Sequence, residues 1–220
     1  MIKVFAVFRD THPEELYDMM NDAVFREEWD GFRLEAFRIA RLDERNDIGY
    51  YAAKSPVPFV ANRDFVNQRS WHAAGRGEYV IFNTSVPHPG IGGRAAKHER
   101  CVRAFSKLTG YLLQPWCNPT TGVEEGTAFT YITHVDPRGS IPKSLVNFVT
   151  TKFAPKTIKR VGKAVLQFRQ WLPAQLASGE YTRDWGLTPE WWLSDEEEAE
   201  KPLRNETIDF AKEKMKGLTS

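Results

Sequence analysis

The side chains that usually carry out catalysis occur in this sequence without a known catalytic or metal-binding arrangement. The five histidines lack the spacing of a zinc site, and the sequence contains neither a nucleophile elbow nor a Cys-His motif. The glycine run at 90–93 does not connect a strand to a helix, as a phosphate-binding loop does. Only His134 and Asp136 form a weak candidate acid–base pair. The sequence therefore predicts no metal, no cofactor and no enzymatic activity.

Charged side chains occur on both faces of a strand predicted from Arg63 to Trp71. Alternate residues of a strand share a face, so one face consists of Arg63, Phe65, Asn67, Arg69 and Trp71. If this face is buried, Arg69 needs an anionic partner, because an unpaired buried charge costs several kcal/mol. That partner is either a ligand headgroup or an internal carboxylate such as Asp64 or Asp30.

The elements around this strand begin with a strand and a helix. Residues 2–9 alternate as a strand does, and Thr11-His12-Pro13-Glu14 has the form of a capping box that opens a helix. The apolar stripe of that helix is Leu16, Met19, Met20, Ala23 and Val24. Two strands follow before residue 55, with a turn predicted at Asp47-Ile48-Gly49 before the second.

The rest of the body predicts an antiparallel meander closed by one long helix. Runs rich in β-branched and aromatic residues occupy 63–71, 78–86, 101–113 and 127–135. A helical period then extends from Ser140 to about Leu172, with a kink expected at Pro155. This order predicts an α+β architecture in which the helix covers one face of the sheet and leaves a cavity between them.

Composition limits the classes of partner. The 220 residues carry a net charge of +1, so no global field attracts nucleic acid. The two cysteines lack ligand spacing, and no apolar run approaches the ~20 residues that span a bilayer. We expect a cytoplasmic protein with one domain over 1–178 and an appendage over 179–220 that holds an acidic run and a short helix.

Four segments in register resemble the START (StAR-related lipid transfer) family, in particular its phosphatidylcholine-transfer-protein-like branch. They are FREEWD at 25–30, GYYAAKSPVPFVANRDFVNQRSW at 49–71, TGYLLQP at 109–115 and YITHVDPRGSIPKSLVNFVTTKFAPKTIKRV at 131–161. The resemblance covers roughly residues 2–172. It implies a helix-grip fold, in which a curved antiparallel sheet wraps around a long C-terminal helix and encloses one lipid.

One departure from the family concerns the beginning of the domain. Family members carry a helix and two strands before the strand that begins here at Ile2. Without them one edge of the sheet would be open, which favours an incomplete cavity, strand exchange or a homodimer through that edge.

The resemblance also implies residues that contact a lipid headgroup. The family places an arginine on the lipid phosphate, and that position is Arg26 here, for which an ordinary surface or capping role is the alternative. Two aromatic positions of the choline cage correspond to Tyr51 and Phe65, but a third corresponds to Leu108, and Gly110 replaces a polar residue. The cage is therefore incomplete, so phosphatidylethanolamine or a different lipid stays open as the cargo beside phosphatidylcholine.

Two further segments are candidates for acyl-chain and membrane contact. The long helix offers Leu145, Phe148, Val149 and Phe153, for which ordinary core packing is the alternative, and the basic residues Lys152 and Lys156. The loop at 55–60 contains two prolines and cannot be a central strand, so its apolar residues are exposed. Those residues, Val57, Phe59 and Val60, would form a membrane gate together with the helix.

The sequence thus favours a protein that binds a phospholipid and transfers it through transient contact with a membrane surface. One alternative is a lipid-sensing or scaffold module that uses the tail. Another is a helix-grip enzyme acting on an acyl or polyketide substrate.

Overall fold

The computed structural model describes residues 1–88, 101–139, 143–179 and Tyr181, with the backbone alone over 143–155. In chain order, its elements are β1 (Ile2–Arg9), α1 (Pro13–Asn21), α2 (Phe25–Trp29), β2 (Arg33–Arg41), β3 (Asn46–Ala53), β4 (Arg63–Gly75), β5 (Glu78–Ser85), β6 (Val102–Arg103), β7 (Phe105–Cys117), β8 (Glu124–Asp136) and α3 (Lys143–Ser178). Strands followed by one long helix confirm the α+β helix-grip architecture.

The described strands form one sheet in the order β1-β8-β7-β5-β4-β3-β2, with antiparallel neighbours throughout. The short β6 lies off this path and pairs in parallel with the start of β4. The expected meander is therefore present. Strands β1 and β2 are the two edges of this sheet. The homodimer through an open edge stays a prediction. The division of the chain at residue 178 also stays a prediction, because the appendage lies almost entirely outside the described residues.

The inner face of the sheet carries the core that the helices cover. Tyr17 of α1 lies against Tyr79 of β5, with ring centroids 4.7 Å apart. On the same face, Leu113 and Phe129 are fully buried opposite each other. The second half of α3 adds the buried residues Val161, Ala164, Val165 and Phe168. Each large apolar side chain contributes about 1.5–3 kcal/mol on burial, so this half of α3 is firmly held against the body.

The first helical region differs from its prediction. Helix α1 ends at Asn21, and the five-residue α2 follows after a turn in which the Asp22 carboxylate accepts hydrogen bonds from the amides of Val24 (2.9 Å) and Phe25 (2.8 Å). The predicted capping box is wrong. His12 occupies the N-cap without a side-chain bond, while the Thr11 hydroxyl donates to a carbonyl two residues earlier.

The turn predicted at Asp47-Ile48-Gly49 is also wrong, because these residues lie inside β3. The chain turns earlier, where the Asp43 carboxylate accepts hydrogen bonds from the Arg45 amide (2.8 Å) and the Asn46 side chain (2.9 Å). An aspartate that bonds to the backbone two residues ahead stabilises such a turn. Moving the turn places Asp47 in the strand, where it becomes part of the candidate site.

Helix α3 continues to Ser178, beyond its predicted end near Leu172. It also runs through Pro155 without interruption, and the kink expected there stays a prediction. The helix ends where Gly179 adopts a left-handed conformation with φ of 71°. Among the described residues, no helix is long and apolar enough to cross a membrane.

Candidate functional site

A cavity of about 450 Å³ lies against the inner face of the sheet. This volume falls within the range of about 300–1,000 Å³ that is typical of small-molecule sites. The α1–α2 turn, strands β2 to β5 and strand β7 line it, and Tyr181 lies at its boundary. The charged and aromatic lining residues include Asp22, Arg26, Arg33, Arg38, Asp47, Arg69, Trp71, Tyr111 and Tyr181.

Arg26 is fixed on one side and open on the other. Its Nε donates to an Asp30 carboxylate oxygen at 3.2 Å, and the same oxygen accepts the Tyr51 hydroxyl at 2.8 Å. The guanidinium also lies 5.5 Å from the ring centroid of Trp29 and 5.7 Å from that of Tyr51. Within the described part of the chain, its two Nη groups have no hydrogen-bond acceptor. The Arg26 side chain is 34% exposed and lines the cavity, so these donors are available to a ligand.

The electrostatics around Arg26 keep the guanidinium charged. Burial is the largest single effect and would lower its pKa, but the charge of Asp30, the two neighbouring tyrosines and the hydrogen bond to Asp30 together outweigh burial and raise the pKa. Burial has the opposite effect on the neighbouring hydroxyl groups of Tyr51 and Tyr111 and raises their pKa, because the charged form of a phenol is the deprotonated one. The site therefore presents a permanent positive charge beside two neutral phenols.

A second ion-pair group lies on the same cavity wall. The fully buried Asp47 carboxylate accepts hydrogen bonds from Arg38 at 2.8 Å and from the Nε of Arg69 at 2.6 Å, with a further bond from Arg69 Nη2. Gly49 makes room for this arrangement, because a Cβ there would lie 2.9 Å from the Nε of Arg69. The partner expected for Arg69 was either a ligand headgroup or an internal carboxylate, and the structure shows an internal carboxylate.

The identity of that partner corrects the prediction. Asp64 pairs instead with Arg103 at 2.8 Å, and Asp30 pairs with Arg26. Sequence reasoning missed Asp47 because it placed this residue in a turn. Arg69 nevertheless remains a cavity residue, since its side chain is 42% exposed and lines the cavity.

Other predicted headgroup residues divide between the two faces of the sheet. Phe65 pairs directly with Tyr51 and so shares its face. Asn67 shares that face and forms hydrogen bonds with Asn83 (3.1 Å) and Ser85 (2.8 Å). Leu108 lies on the opposite face of β7 from the cavity residue Tyr111, because the two are three residues apart in a regular stretch. Gly110 shares the outer face with Leu108.

Four of the five predicted gate residues have described side chains: Val57, Phe59, Val60 and Lys156. Phe59 is fully exposed at the tip of the loop and adopts a positive φ of 63°, while Val57 and Val60 are half-buried. Lys156 is exposed on α3. The side chains of Leu145, Phe148, Val149, Lys152 and Phe153 lie outside the described residues.

The structure adds two aromatic residues that the sequence interpretation did not select. Tyr111 lines the cavity and stacks on Tyr131, with ring centroids 5.1 Å apart. Alternation with the core residue Leu113 could have placed Tyr111 on the inner face. Tyr181 also lines the cavity, but it follows the long helix and no periodicity in the sequence connects it with the site.

The sheet, the long helix and the cavity with its arginine define a helix-grip ligand-binding domain, and the chain belongs to the START domain family. The family model matches residues 1–170. This result confirms the resemblance found in the sequence.

Two human proteins represent the relatives. START domain-containing protein 10 is 41% identical over 162 residues, which are 74% of this chain and 52% of that protein. Phosphatidylcholine transfer protein is 27% identical over 165 residues, which are 74% of this chain and 71% of that protein. The chain therefore spans about half the length of the START domain-containing protein 10 relatives from human and mouse.

Solved structures agree with this assignment. The crystal structure of human STARD10 aligns with a TM-score of 0.70 and 37% identity, covering 83% of this chain and 69% of that one. Human StAR-related lipid transfer protein 5 aligns with a TM-score of 0.62 and 22% identity, covering 76% of each chain, which supports the fold alone.

Proposed function

We propose that this chain binds one phospholipid in its cavity and carries it between membranes without chemical change. The observation that carries this proposal is the inner-face cavity with Arg26 on its wall, in a chain of the START domain family. A relative is named for phosphatidylcholine transfer, and the same class of cargo is proposed here.

Physical chemistry explains why such a carrier speeds transfer. Moving a diacyl lipid through water exposes about thirty methylene groups at ~0.8 kcal/mol each, a barrier on the order of 20 kcal/mol. A protein that encloses the acyl chains removes most of this exposure during transit. It accelerates exchange without catalytic residues, because the lipid leaves one apolar environment for another.

Arg26 is the proposed phosphate ligand. A guanidinium presents its donors in a planar fork that matches two phosphate oxygens. Asp30 holds the Nε edge at 3.2 Å, so the orientation of the Nη groups is set before a ligand arrives. The fixed orientation reduces the entropy lost on binding.

The proposed headgroup is choline or ethanolamine, with the aromatic contacts arranged differently from a complete choline cage. The ring of Tyr51 already lies beside the Arg26 guanidinium, and Leu108 is on the outer face of β7. Tyr111 lies near Arg26 and supplies another aromatic hydroxyl at the cavity. A primary ammonium group can donate to such oxygens, whereas a quaternary ammonium group cannot, which favours phosphatidylethanolamine as a cargo.

The loop at 55–60 is the proposed membrane contact, in transient association with the bilayer surface. A fully exposed phenylalanine with a positive φ is unusual in both respects. Insertion of Phe59 into the interfacial region would remove this ring from water. Exposed Lys156 on α3 supplies a positive charge for anionic headgroups.

The test is lipid transfer between vesicles. Donor vesicles contain fluorescent phosphatidylcholine or phosphatidylethanolamine together with a quencher, and acceptor vesicles contain neither. We expect the chain to increase the rate of dequenching in proportion to its concentration. A rate equal to spontaneous transfer for both lipids would contradict the proposal.

The two alternatives make different predictions. Deleting residues 187–220 separates the first alternative from a carrier. In a lipid-sensing module, this deletion would leave lipid binding intact and abolish partner binding. In a carrier, the deletion would leave the lipid transfer rate unchanged. An enzyme needs an acid–base pair at the cavity, but His134 and Asp136 are exposed and lie on the outer face of β8. The geometry of the described residues therefore favours a carrier.

A further inference from the structure

Tyr181 connects three parts of the domain although it lies beyond the region matched by the family model. Its hydroxyl donates to the carboxylate of Asp22, which is fully buried in the α1–α2 turn. Its ring packs edge-on against Trp171 of α3, with centroids 5.3 Å apart. It also lines the cavity.

The end of α3 explains how Tyr181 reaches this position. Gly179 has a φ of 71°, which reverses the chain direction after the last helical turn. Trp171 lies seven residues before the end of α3, about 10 Å at 1.5 Å per residue. Tyr181 follows Ser178 by three residues, and its ring contact with Trp171 places it back along the helix rather than beyond its end.

Asp22 transmits this contact to the proposed phosphate site. One of its carboxylate oxygens accepts the Tyr181 hydroxyl, and the other accepts the amides of Val24 and Phe25 at the start of α2. The backbone amide of Arg26 donates to the Asp22 carbonyl at 3.0 Å. The position of Arg26 therefore depends directly on Asp22.

The packing of α2 also links Tyr181 to Arg26. Phe25 lies against Phe168 and Trp171, with ring centroids 5.0 and 5.1 Å away. Trp171 thus contacts both Phe25 at the start of α2 and Tyr181. A hydrogen bond and a shared aromatic neighbour link Tyr181 to the short helix that carries Arg26.

We infer that Tyr181 is a positioning residue that closes one side of the cavity and slows the release of the bound lipid. It acts through Asp22, by fixing the start of α2, and through its ring, by covering the cavity beside the α1–α2 turn. The inference rests on the proposed function for the identity of the ligand.

The test uses the full chain and the variant Tyr181→Phe, which keeps the ring and removes the hydroxyl. Both proteins are loaded with fluorescent phosphatidylcholine, and release into excess unlabelled phosphatidylcholine vesicles is followed over time. We expect release from the variant to be about tenfold faster, since a hydrogen bond to a charged group typically changes an equilibrium by this factor or more. Leu176→Ala is the control, because Leu176 is 54% exposed near the end of the same helix, and its release rate should equal that of the unaltered chain.

A second measurement does not depend on lipid. Amide hydrogen exchange in the ligand-free chain should be faster at Val24 and Phe25 in Tyr181→Phe than in Leu176→Ala. A change in exchange confined to α3 would indicate a merely structural role and overturn the inference, as would an unchanged release rate. If the unaltered chain takes up no lipid, the proposed function fails, while exchange at Val24 and Phe25 still decides whether Tyr181 fixes α2.

Discussion

Replacement of Arg26 by glutamine tests the proposed phosphate ligand. The substitution removes the two Nη groups that have no acceptor among the described residues. A hydrogen bond to a charged group contributes about 1.5–3 kcal/mol net. Because the side chain is 34% exposed, we assign the two hydrogen bonds from the Nη groups a value in the lower part of this range, about 2 kcal/mol for both together. This corresponds to about 30-fold weaker lipid binding.

A second variant separates charge from geometry. Arg26→Lys keeps the positive charge but loses the planar fork and the Nε bond to Asp30. We expect it to bind lipid more tightly than the glutamine variant and more weakly than the unaltered chain. In both variants Asp30 keeps its bonds from Tyr51 (2.8 Å) and from the Phe32 amide (3.3 Å), so the fold should persist.

The matched control is Arg103→Gln. Arg103 donates two hydrogen bonds to Asp64, at 3.0 and 2.8 Å, and its side chain is 41% exposed, but it does not line the cavity. It therefore matches Arg26 in charge and in its carboxylate partner, and differs in position. Equilibrium titration with fluorescent phosphatidylcholine should give the unaltered affinity for this control. Equal affinity of Arg26→Gln and Arg103→Gln would refute the role of Arg26.

Three further predictions concern the loop, the second ion-pair group and alkaline pH. Phe59→Asp should lower the vesicle transfer rate at least tenfold with unchanged affinity for micellar lipid, whereas Val123→Asp, in another exposed loop, should leave transfer unchanged; equal rates would exclude the loop as a membrane contact. Gly49→Ala should lower the free energy of unfolding in urea by about 1–3 kcal/mol, because the new Cβ displaces Arg69 from its buried aspartate, and an unchanged midpoint would contradict this. Burial raises the pKa of Tyr111 in the folded state, so stability should be constant up to about pH 10 and fall above it as tyrosines ionise in the unfolded chain; denaturation curves that do not change between pH 9 and 11 would contradict this.

The architecture was predictable because its signals are periodic. Strand alternation and the late helical period depend on burial of one face, and the structure keeps both. The short-range signals were less reliable. Asp22 ends the first helix by bonding to amides ahead of it, and Asp43 moves the β2–β3 turn in the same way. At the first helix, one aspartate thereby outweighs the apolar pattern that continues to Val24.

The candidate site was predictable in part. Arg26 and Tyr51 came from the family resemblance, and the structure brings them together around Asp30. The partner of Arg69 depended on the register between β3 and β4, which places Asp47 directly opposite it. Single-residue register is not encoded in alternation alone. The position of Tyr181 at the cavity depends on a chain reversal after α3, and no spacing in the sequence indicates this reversal.

Native mass spectrometry of the purified full chain tests the central claim most directly. We predict a species whose mass exceeds that of the protein by one phospholipid, which dissociates on activation to give a phosphatidylcholine or phosphatidylethanolamine. The same species should appear after incubation of delipidated protein with vesicles of these lipids. A chain that carries no lipid after purification and takes up none from such vesicles would contradict the account.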